Sequence, residues 1–241
     1  MPCRTCFITG TDTGAGKTWA TLALMQAVRE AGHRVAGMKP LASGASLKDG
    51  RLVNDDAEQI LALCSQAYNY DHINPYPLER PVSPGFAARQ AGVVISLERL
   101  VRAARRLQKE ADFLFIEGVG GWRVPWGDGV QARDLVRALK IPVILVVGLR
   151  LGCINHALLT AEALAFDDVP MLGWLASRVD PAYQDSEATL DLLAAALGAP
   201  GLGVLPHLAA LDPQRLAVNI NVQEMTYPVQ WLAQSPDAGS G

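Results

Sequence analysis

The chain has no long uninterrupted apolar stretch. Its longest, residues 141–149, is stopped by Arg150 and falls far short of the roughly 20 residues that cross a bilayer as a helix. Nor is there an excess of charge of either sign. Against 24 Asp and Glu stand 21 Lys and Arg, a formal net of −3, so nothing electrostatic favours nucleic acid or an anionic membrane. Cysteines number four. Cys3 and Cys6 form a C-x-x-C, but no second pair accompanies them and Cys6 sits inside an apolar run, which argues against zinc or redox chemistry. Four histidines are scattered along the chain, and His156 has no partner visible in the sequence. A cleavable leader does not fit either, because its removal would take with it the loop that begins at Gly10. The expectation is a cytoplasmic protein.

Half of the 241 residues are hydrophobic, enough for one large domain with a sizeable core. Apolar runs of strand length alternate with helical stretches. Residues 6–9, 35–39, 113–117, 142–147 and 171–176, with a short run near Val204, read as strands. Residues 17–31, 55–64, 96–110, 153–165 and 186–197 read as helices. Such alternation predicts an α/β fold, a mostly parallel central sheet with helices on both faces. Ligands of these sheets gather at the carboxyl ends of the strands. The proline-rich stretch 74–84 reads as an ordered loop near that edge. The domain is expected over 1–233, with a small, polar and flexible tail at 234–241.

The first strand runs into Gly10-Thr11-Asp12-Thr13-Gly14-Ala15-Gly16-Lys17-Thr18, and a helix follows at once. Strand, glycine-bearing loop, Lys-Thr and helix are the context of a P-loop. The glycines let backbone N–H groups close around phosphate oxygens while the helix N-terminus adds positive potential. Lys17 is placed to reach the β- and γ-phosphates, and the Thr18 hydroxyl to ligate Mg²⁺. Five residues separate Gly10 from Gly16, one more than the general pattern allows.

Three further segments point to the same edge. Lys39 closes the second strand in Gly37-Met38-Lys39-Pro40, followed by Ser43-Gly44. Glu117 ends an apolar strand and precedes Gly118-Val119-Gly120-Gly121, where a P-loop enzyme holds its magnesium. Asn54-Asp55-Asp56 offers a second carboxylate, although any of the three suits a helix N-cap and the spacing leaves the two aspartates open. Residues 148–156 open a helix after a central strand, and free donors at such a start suit a carboxylate or a phosphate.

Together these segments resemble the dethiobiotin synthetases, from about Phe7 to about Ile220. The narrow signals are the five-residue loop spacing, Lys39-Pro-Leu-Ala-Ser-Gly44, Asn74-Pro-Tyr76 with Ser83-Pro84, Glu117-Gly-Val-Gly-Gly-Trp122 and Leu151-Gly-Cys-Ile-Asn-His156. The resemblance implies a ligase of biotin biosynthesis. It would use ATP and Mg²⁺ to carboxylate 7,8-diaminononanoate with CO₂, phosphorylate the carbamate and close the ureido ring, releasing ADP and phosphate. It implies catalytic roles for Lys17, Lys39 and Thr13, and metal ligation by Thr18, Asp56 and Glu117, which favours Asp56 over Asp55. ATP contacts fall on Gly14, Ala15, Gly16, Lys17, Thr18, Trp19, Asp56, Glu117, Gly118, Val119, Gly120, Ser177, Arg178, Pro206, His207 and Leu208. Substrate contacts fall on Ser43, Gly152, Cys153 and Asn155, the last three across the interface of a homodimer.

Four positions depart from the family pattern. Gly14 stands where glutamate is common, Gly85 where histidine is common, and Thr189 near a position often held by tyrosine. Ser177 replaces the usual asparagine that reads adenine. A serine lacks the paired donor and acceptor of an amide, so the expectation for ATP over other triphosphates is looser than for triphosphate use itself. A nucleotide-operated switch, the other use of related P-loop dimers, usually carries an additional lysine early in the loop. None lies between Gly10 and Gly16.

Overall fold

The computed structural model describes residues 3–127 and 129–225. The tail expected at 234–241 lies outside the described residues. Six strands form the main sheet: β1 (Arg4–Gly10), β2 (Val35–Met38), β3 (Phe113–Gly121), β4 (Val143–Gly148), β5 (Met171–Ser177) and β6 (Gly201–Leu205). They lie in the order β6-β5-β4-β1-β3-β2, and every neighbouring pair is parallel. All six therefore present their carboxyl ends to one edge, and the chain reverses its lateral direction around β1.

The strands read as continuous apolar runs because both sheet faces are covered. Along β4 the side chains alternate with the period of two that an extended chain imposes. Ile144 and Val146 join the larger hydrophobic cluster, which also takes in Leu22, Leu24 and Val28 of α1 (Lys17–Glu30). Leu145 and Val147 join a second cluster under α5 (Cys153–Phe166) and α6 (Ser186–Ala196), with Ala157, Trp174 and Leu193. Between α1 and α5 in the chain stand α2 (Asp55–Leu63), α3 (Leu97–Glu110) and α4 (Ala132–Leu139). Ser96, expected as the first helical residue of α3, is its N-cap and accepts from the Arg99 N–H at 3.3 Å. Its oxygen satisfies a donor that the helix cannot.

Residues 74–84 are not one loop. Tyr76–Leu78 is a strand paired in parallel with Leu41–Ser43, and a helix starts at Pro84 (Pro84–Ala91). Proline tolerates both settings, at N1 of a helix and in a two-stranded edge where its missing N–H is not needed. A hairpin of Ser46–Lys48 and Arg51–Val53 turns through Asp49 and Gly50, both at positive φ, the preferred geometry of a two-residue hairpin turn. Of the Cys3-x-x-Cys6 pair, Cys6 is fully buried in the core. Burial pushes the Cys3 thiol up to about 11.

Gly37 sets how closely β2 approaches the helices over it. A Cβ there would lie 2.4 Å from Ile60 Cγ2 of α2 and 2.7 Å from Met25 Sδ of α1. Gly37→Ala is expected to cost about 1–3 kcal/mol through overpacking, read as a lower denaturant midpoint with an unchanged slope. A midpoint equal to that of the parent would show that α2 shifts freely.

Candidate active site

β1 ends at Gly10 and the loop turns through Gly14 (φ 81°) and Gly16 (φ 91°) into α1. Both values favour glycine. At Gly16 space matters too, since a Cβ would stand 2.5 Å from Ser177 Oγ. Gly148 at the end of β4 allows the loop to settle on the sheet, because its absent Cβ would press within 3.0 Å of Ala15 Cα. Ala15 is fully buried, so the loop is fastened from below.

Lys17 and Lys39 are 7% and 4% exposed. The Lys17 ammonium donates to the Asp12 carbonyl at 2.9 Å. Burial first, and the nearby Lys39 charge second, bring Lys17 down to about 8. Lys39 leaves the end of β2 and reaches two carboxylates, Glu117 Oε1 of β3 and Asp56 Oδ2 of α2, the latter at 3.1 Å. Burial alone would push the Lys39 ammonium down, but Glu117, then Asp56, outweigh it and hold Lys39 above the ordinary lysine value.

Glu117 is completely buried. Its pairing with Ile8 of β1 is followed by a register shift that sets Gly10 opposite Gly121. This irregularity in the ladder turns the strand end at the carboxylate. One oxygen, Oε1, accepts from the Thr18 hydroxyl at 2.8 Å as well as from Lys39. The other, Oε2, is buried with no hydrogen-bond partner. A buried carboxylate oxygen left without a partner is costly, and a cation is the group that would satisfy it. Thr18, Asp56 and Glu117 form an all-oxygen set that fits magnesium, which keeps several waters and takes only one or two protein carboxylates. Among the described residues no cluster of three His, Cys, Asp or Glu exists that could hold a metal by itself, so water or phosphate would complete the shell.

The choice between Asp55 and Asp56 is decided by the cap. Asn54 is the N-cap of α2 and accepts from the Ala57 N–H at 3.3 Å. Asp56 is thereby free to face Lys39, while Asp55 meets Lys48 on the surface.

A cavity of about 580 Å³ joins these groups. Thr13, Gly14, Gly16, Lys17, Thr18, Lys39, Ser43, Asp56, Glu117, Val119 and Gly120 line its polar part. Trp19, Ser177, Arg178, Pro206, His207 and Leu208 line the remainder. Ala15 and Gly118, expected as ATP contacts, are not among the residues that line it. Asn54, Gln59, Val179 and Leu211 also line it and were not anticipated from the sequence. For Asn54 the signal was present, since a cap at the head of α2 sits beside whatever Asp56 touches.

Gly152, Cys153 and Asn155 are outside the cavity. Gly152 (φ 91°) is the N-cap of α5, and no side chain caps that start. The Cys153 thiol is buried, and its N–H donates to the Arg150 carbonyl at 3.1 Å. His156 does have a neighbour: its Nδ1 lies 3.7 Å from Asp12 Oδ2, which Arg150 also contacts. The Arg150–Asp12 contact spans 138 residues and that of His156 more, beyond the reach of any local pattern.

The family model described as an AAA domain matches residues 4–215. A curated ATP-dependent dethiobiotin synthetase BioD from Aromatoleum aromaticum is 46% identical over 219 residues, which is 91% of this chain and 97% of that protein. One from Xylella fastidiosa is 44% identical over 90% of this chain and 96% of its own. The chain belongs to the BioD family. Among solved structures, MinD of Pyrococcus horikoshii with Mg-ADP superposes with a TM-score of 0.51 at 20% identity, covering 97% of this chain and 90% of that one. The MinC:MinD complex of Aquifex aeolicus gives 0.53 at 17%, covering 86% and 83%. At such identity these likenesses speak for the P-loop NTPase fold alone. The BioD family resemblance read from the loop spacing and from Lys39 to Gly44 is thus confirmed.

Lys17 allows a test of the site without ligand. Its folded value of about 8 lies below the ordinary lysine value of 10.5, so the charged lysine weakens the fold at neutral pH and stability is regained between those two pH values. Lys17→Met should therefore be more stable than the parent at pH 7, with the margin shrinking as pH approaches 10. Denaturant midpoints at both pH values check this, and a margin that grew with pH would contradict it.

Proposed function

We propose that this protein is an ATP-dependent dethiobiotin synthetase that joins CO₂ to 7,8-diaminononanoate and closes the ureido ring through a phosphorylated carbamate. The observation that carries this reading is the convergence of Lys17, Lys39, Thr18, Asp56 and Glu117 on one cavity. It stands in a chain 46% identical to a curated BioD over nearly its whole length. The overall change consumes the diamine, CO₂ and ATP and yields dethiobiotin, ADP and phosphate.

The chemistry needs little covalent help from the protein. One amine of the substrate adds CO₂ to give a carbamate, and a carbamate oxygen takes the γ-phosphoryl group. The second amine then attacks the carbamoyl carbon and phosphate leaves. Charge accumulates on the transferring phosphoryl oxygens, and the two buried ammonium groups are placed to neutralise it. Lys17 has only a backbone carbonyl to give up, so it is ready to move to phosphate. Lys39 is held at the opposite wall by Glu117 and Asp56. Magnesium, when bound, would supply further neutralisation of the triphosphate and orient it, with Thr18, Asp56 and Glu117 as its protein ligands. Thr13 and Ser43 border the same space and offer hydroxyls to the carbamate. Positioning accounts for much of the remaining acceleration.

Base recognition falls to the far end of the cavity. Ser177 Oγ points toward Gly16, the Arg178 carbonyl lies 3.2 Å from His207 Nδ1, and Pro206 and Leu208 supply apolar walls. A single hydroxyl with two backbone segments supports triphosphate binding with modest base selectivity.

The dimer reading rests on α5 and its neighbour. Leu151 is 91% exposed and Phe166 81%, with Leu159 and Leu192 more than half exposed. Leu159 and Phe166 are seven residues apart, so they share one helix face. A second copy covering this face would enclose the head of α5, where Gly152 and Asn155 are exposed, and provide the site for the substrate carboxylate. The cytoplasm is the compartment that fits such a biosynthetic enzyme. No helix among the described residues is long and apolar enough to cross a membrane.

The deciding experiment is phosphate release from ATP and Mg²⁺, with and without the diamine plus bicarbonate, and with the product weighed. Release that depends on the diamine, with a product that has gained one carbonyl and lost two hydrogens, is expected. Hydrolysis indifferent to the diamine would overturn the reading. Lys39→Ala is expected to lower turnover by about a hundredfold or more, as when one charge-stabilising donor is lost, while nucleotide binding stays measurable. Ser177→Asn is expected to raise the preference for ATP over other triphosphates. An unchanged ratio would assign base choice to the backbone at Pro206.

A further inference from the structure

The chain between Lys39 and Asp56 makes an excursion. It forms the short strand Leu41–Ser43, then the hairpin in which Ser46, Leu47 and Lys48 are all exposed, and only then returns to start α2. The Lys39 ammonium meets the Asp56 carboxylate directly at 3.1 Å, but the intervening chain does not rigidly register the backbone of Lys39 against the head of α2. A buried chain of hydrogen bonds does so instead.

Asn74 is fully buried and its amide donates to the Lys39 carbonyl at 2.7 Å. The Tyr70 hydroxyl donates to Asn74 Oδ1 at 3.0 Å and accepts from the Asn54 N–H at 2.8 Å. Asn54 caps α2 and its amide donates to the Ser43 carbonyl at 3.4 Å. The Lys39 N–H donates to the Ile73 carbonyl at 2.8 Å, which clamps the same residue from its other side. The ring so closed runs from Lys39 through Asn74, Tyr70 and Asn54 to Ser43. Neither Tyr70 nor Asn74 lines the cavity. Burial pushes the Tyr70 phenol up, so it keeps its proton and donates throughout the neutral range. Arg51 closes the outer side, with its guanidinium 4.6 Å from the Tyr70 ring centroid.

We propose that Tyr70 and Asn74 are positioning residues for phosphoryl transfer, tying the backbone of Lys39 to the head of α2, which carries Asp56, so that the Lys39–Asp56 ion pair forms in one place. The Asn74 amide donates to the Lys39 carbonyl and accepts from Tyr70 through one planar group. The Tyr70 hydroxyl donates to Asn74 and accepts from the Asn54 N–H at the head of α2. Loss of either member cuts this tie and leaves the ion pair of two side chains to register Lys39 against α2, and misplacement on the order of 1 Å can cost about a hundredfold in rate.

A role in fold stability alone would leave different traces, and a double-mutant cycle separates them. Tyr70→Phe is made in the parent and in Lys39→Ala, and kcat, KM for ATP and thermal midpoint are measured for all four proteins. The expected result in the parent is a fall in kcat of about tenfold with KM for ATP little changed. In Lys39→Ala the same change should lower kcat by no more than about threefold, because the route through Lys39 is already gone. The thermal midpoint should drop equally in both backgrounds. Equal fold losses of kcat in the two backgrounds, or no loss in the parent, would overturn the proposal. Should Tyr70→Phe not fold, Asn74→Ala takes its place in the cycle with the same expectations. The inference rests on Lys39 acting at the γ-phosphate. Failure of that assignment is seen separately, as Lys39→Ala turning over at the parent rate, and it removes the inference as well.

Discussion

One buried carboxylate governs this site. Glu117 has no exposure, yet it takes the Lys39 ammonium and the Thr18 hydroxyl on a single oxygen and leaves the other without a partner. A charge in that position is tolerable only while it is paired, because the desolvation penalty of an isolated carboxylate is several kcal/mol even after relaxation, of that order in most proteins. The pairing draws together three elements that are remote in the chain: the start of α1, the end of β2 and the middle of β3, which runs on past Glu117 to Gly121 instead of ending at the carboxylate. The open oxygen of Glu117 fits the proposed cation, and the polar groups around it are set in place by the fold itself.

The parallel sheet makes this convergence possible. With every strand running the same way, the ends of β1, β2, β3, β5 and β6 all open on one edge. Segments as distant as residues 10–18 and 205–208 share one cavity as a result. The same edge divides the labour along its length. The β2–β3–β1 side carries ammonium groups and carboxylates, and the β5–β6 side carries a hydroxyl, backbone groups and apolar walls. Under the proposed function, phosphate chemistry and base recognition would be separated by the sheet order and not by separate domains.

Much of the site was legible because its signals are local. A strand, a glycine-bearing loop and Lys17-Thr18 at a helix start are read within a dozen residues, and Lys39 and Glu117 each terminate an apolar run. The limits of legibility are equally physical. Any of Asn54, Asp55 and Asp56 can cap a helix, and only the packed α2 shows Asn54 doing so. The prolines of residues 74–84 conceal a strand because parallel pairing with Leu41–Ser43 is a long-range event. The Asp49-Gly50 turn was visible as a dipeptide but lay outside the segments that bear on the site. His156 gained its neighbour Asp12 only through the meeting of β1 and β4 at the sheet edge.

The sequence by itself determined the kind of machine. Alternating apolar runs dictate a covered parallel sheet, and the P-loop with its lysine, threonine and strand-end acid dictates triphosphate chemistry, since each of these depends on neighbours in the chain. Tertiary structure decided the arrangement: which aspartate faces Lys39, which oxygen of Glu117 is left open, and how Tyr70 and Asn74 link the Lys39 backbone to the head of α2. Those outcomes depend on burial and on distances between residues far apart in sequence, and such distances exist only once the chain has packed.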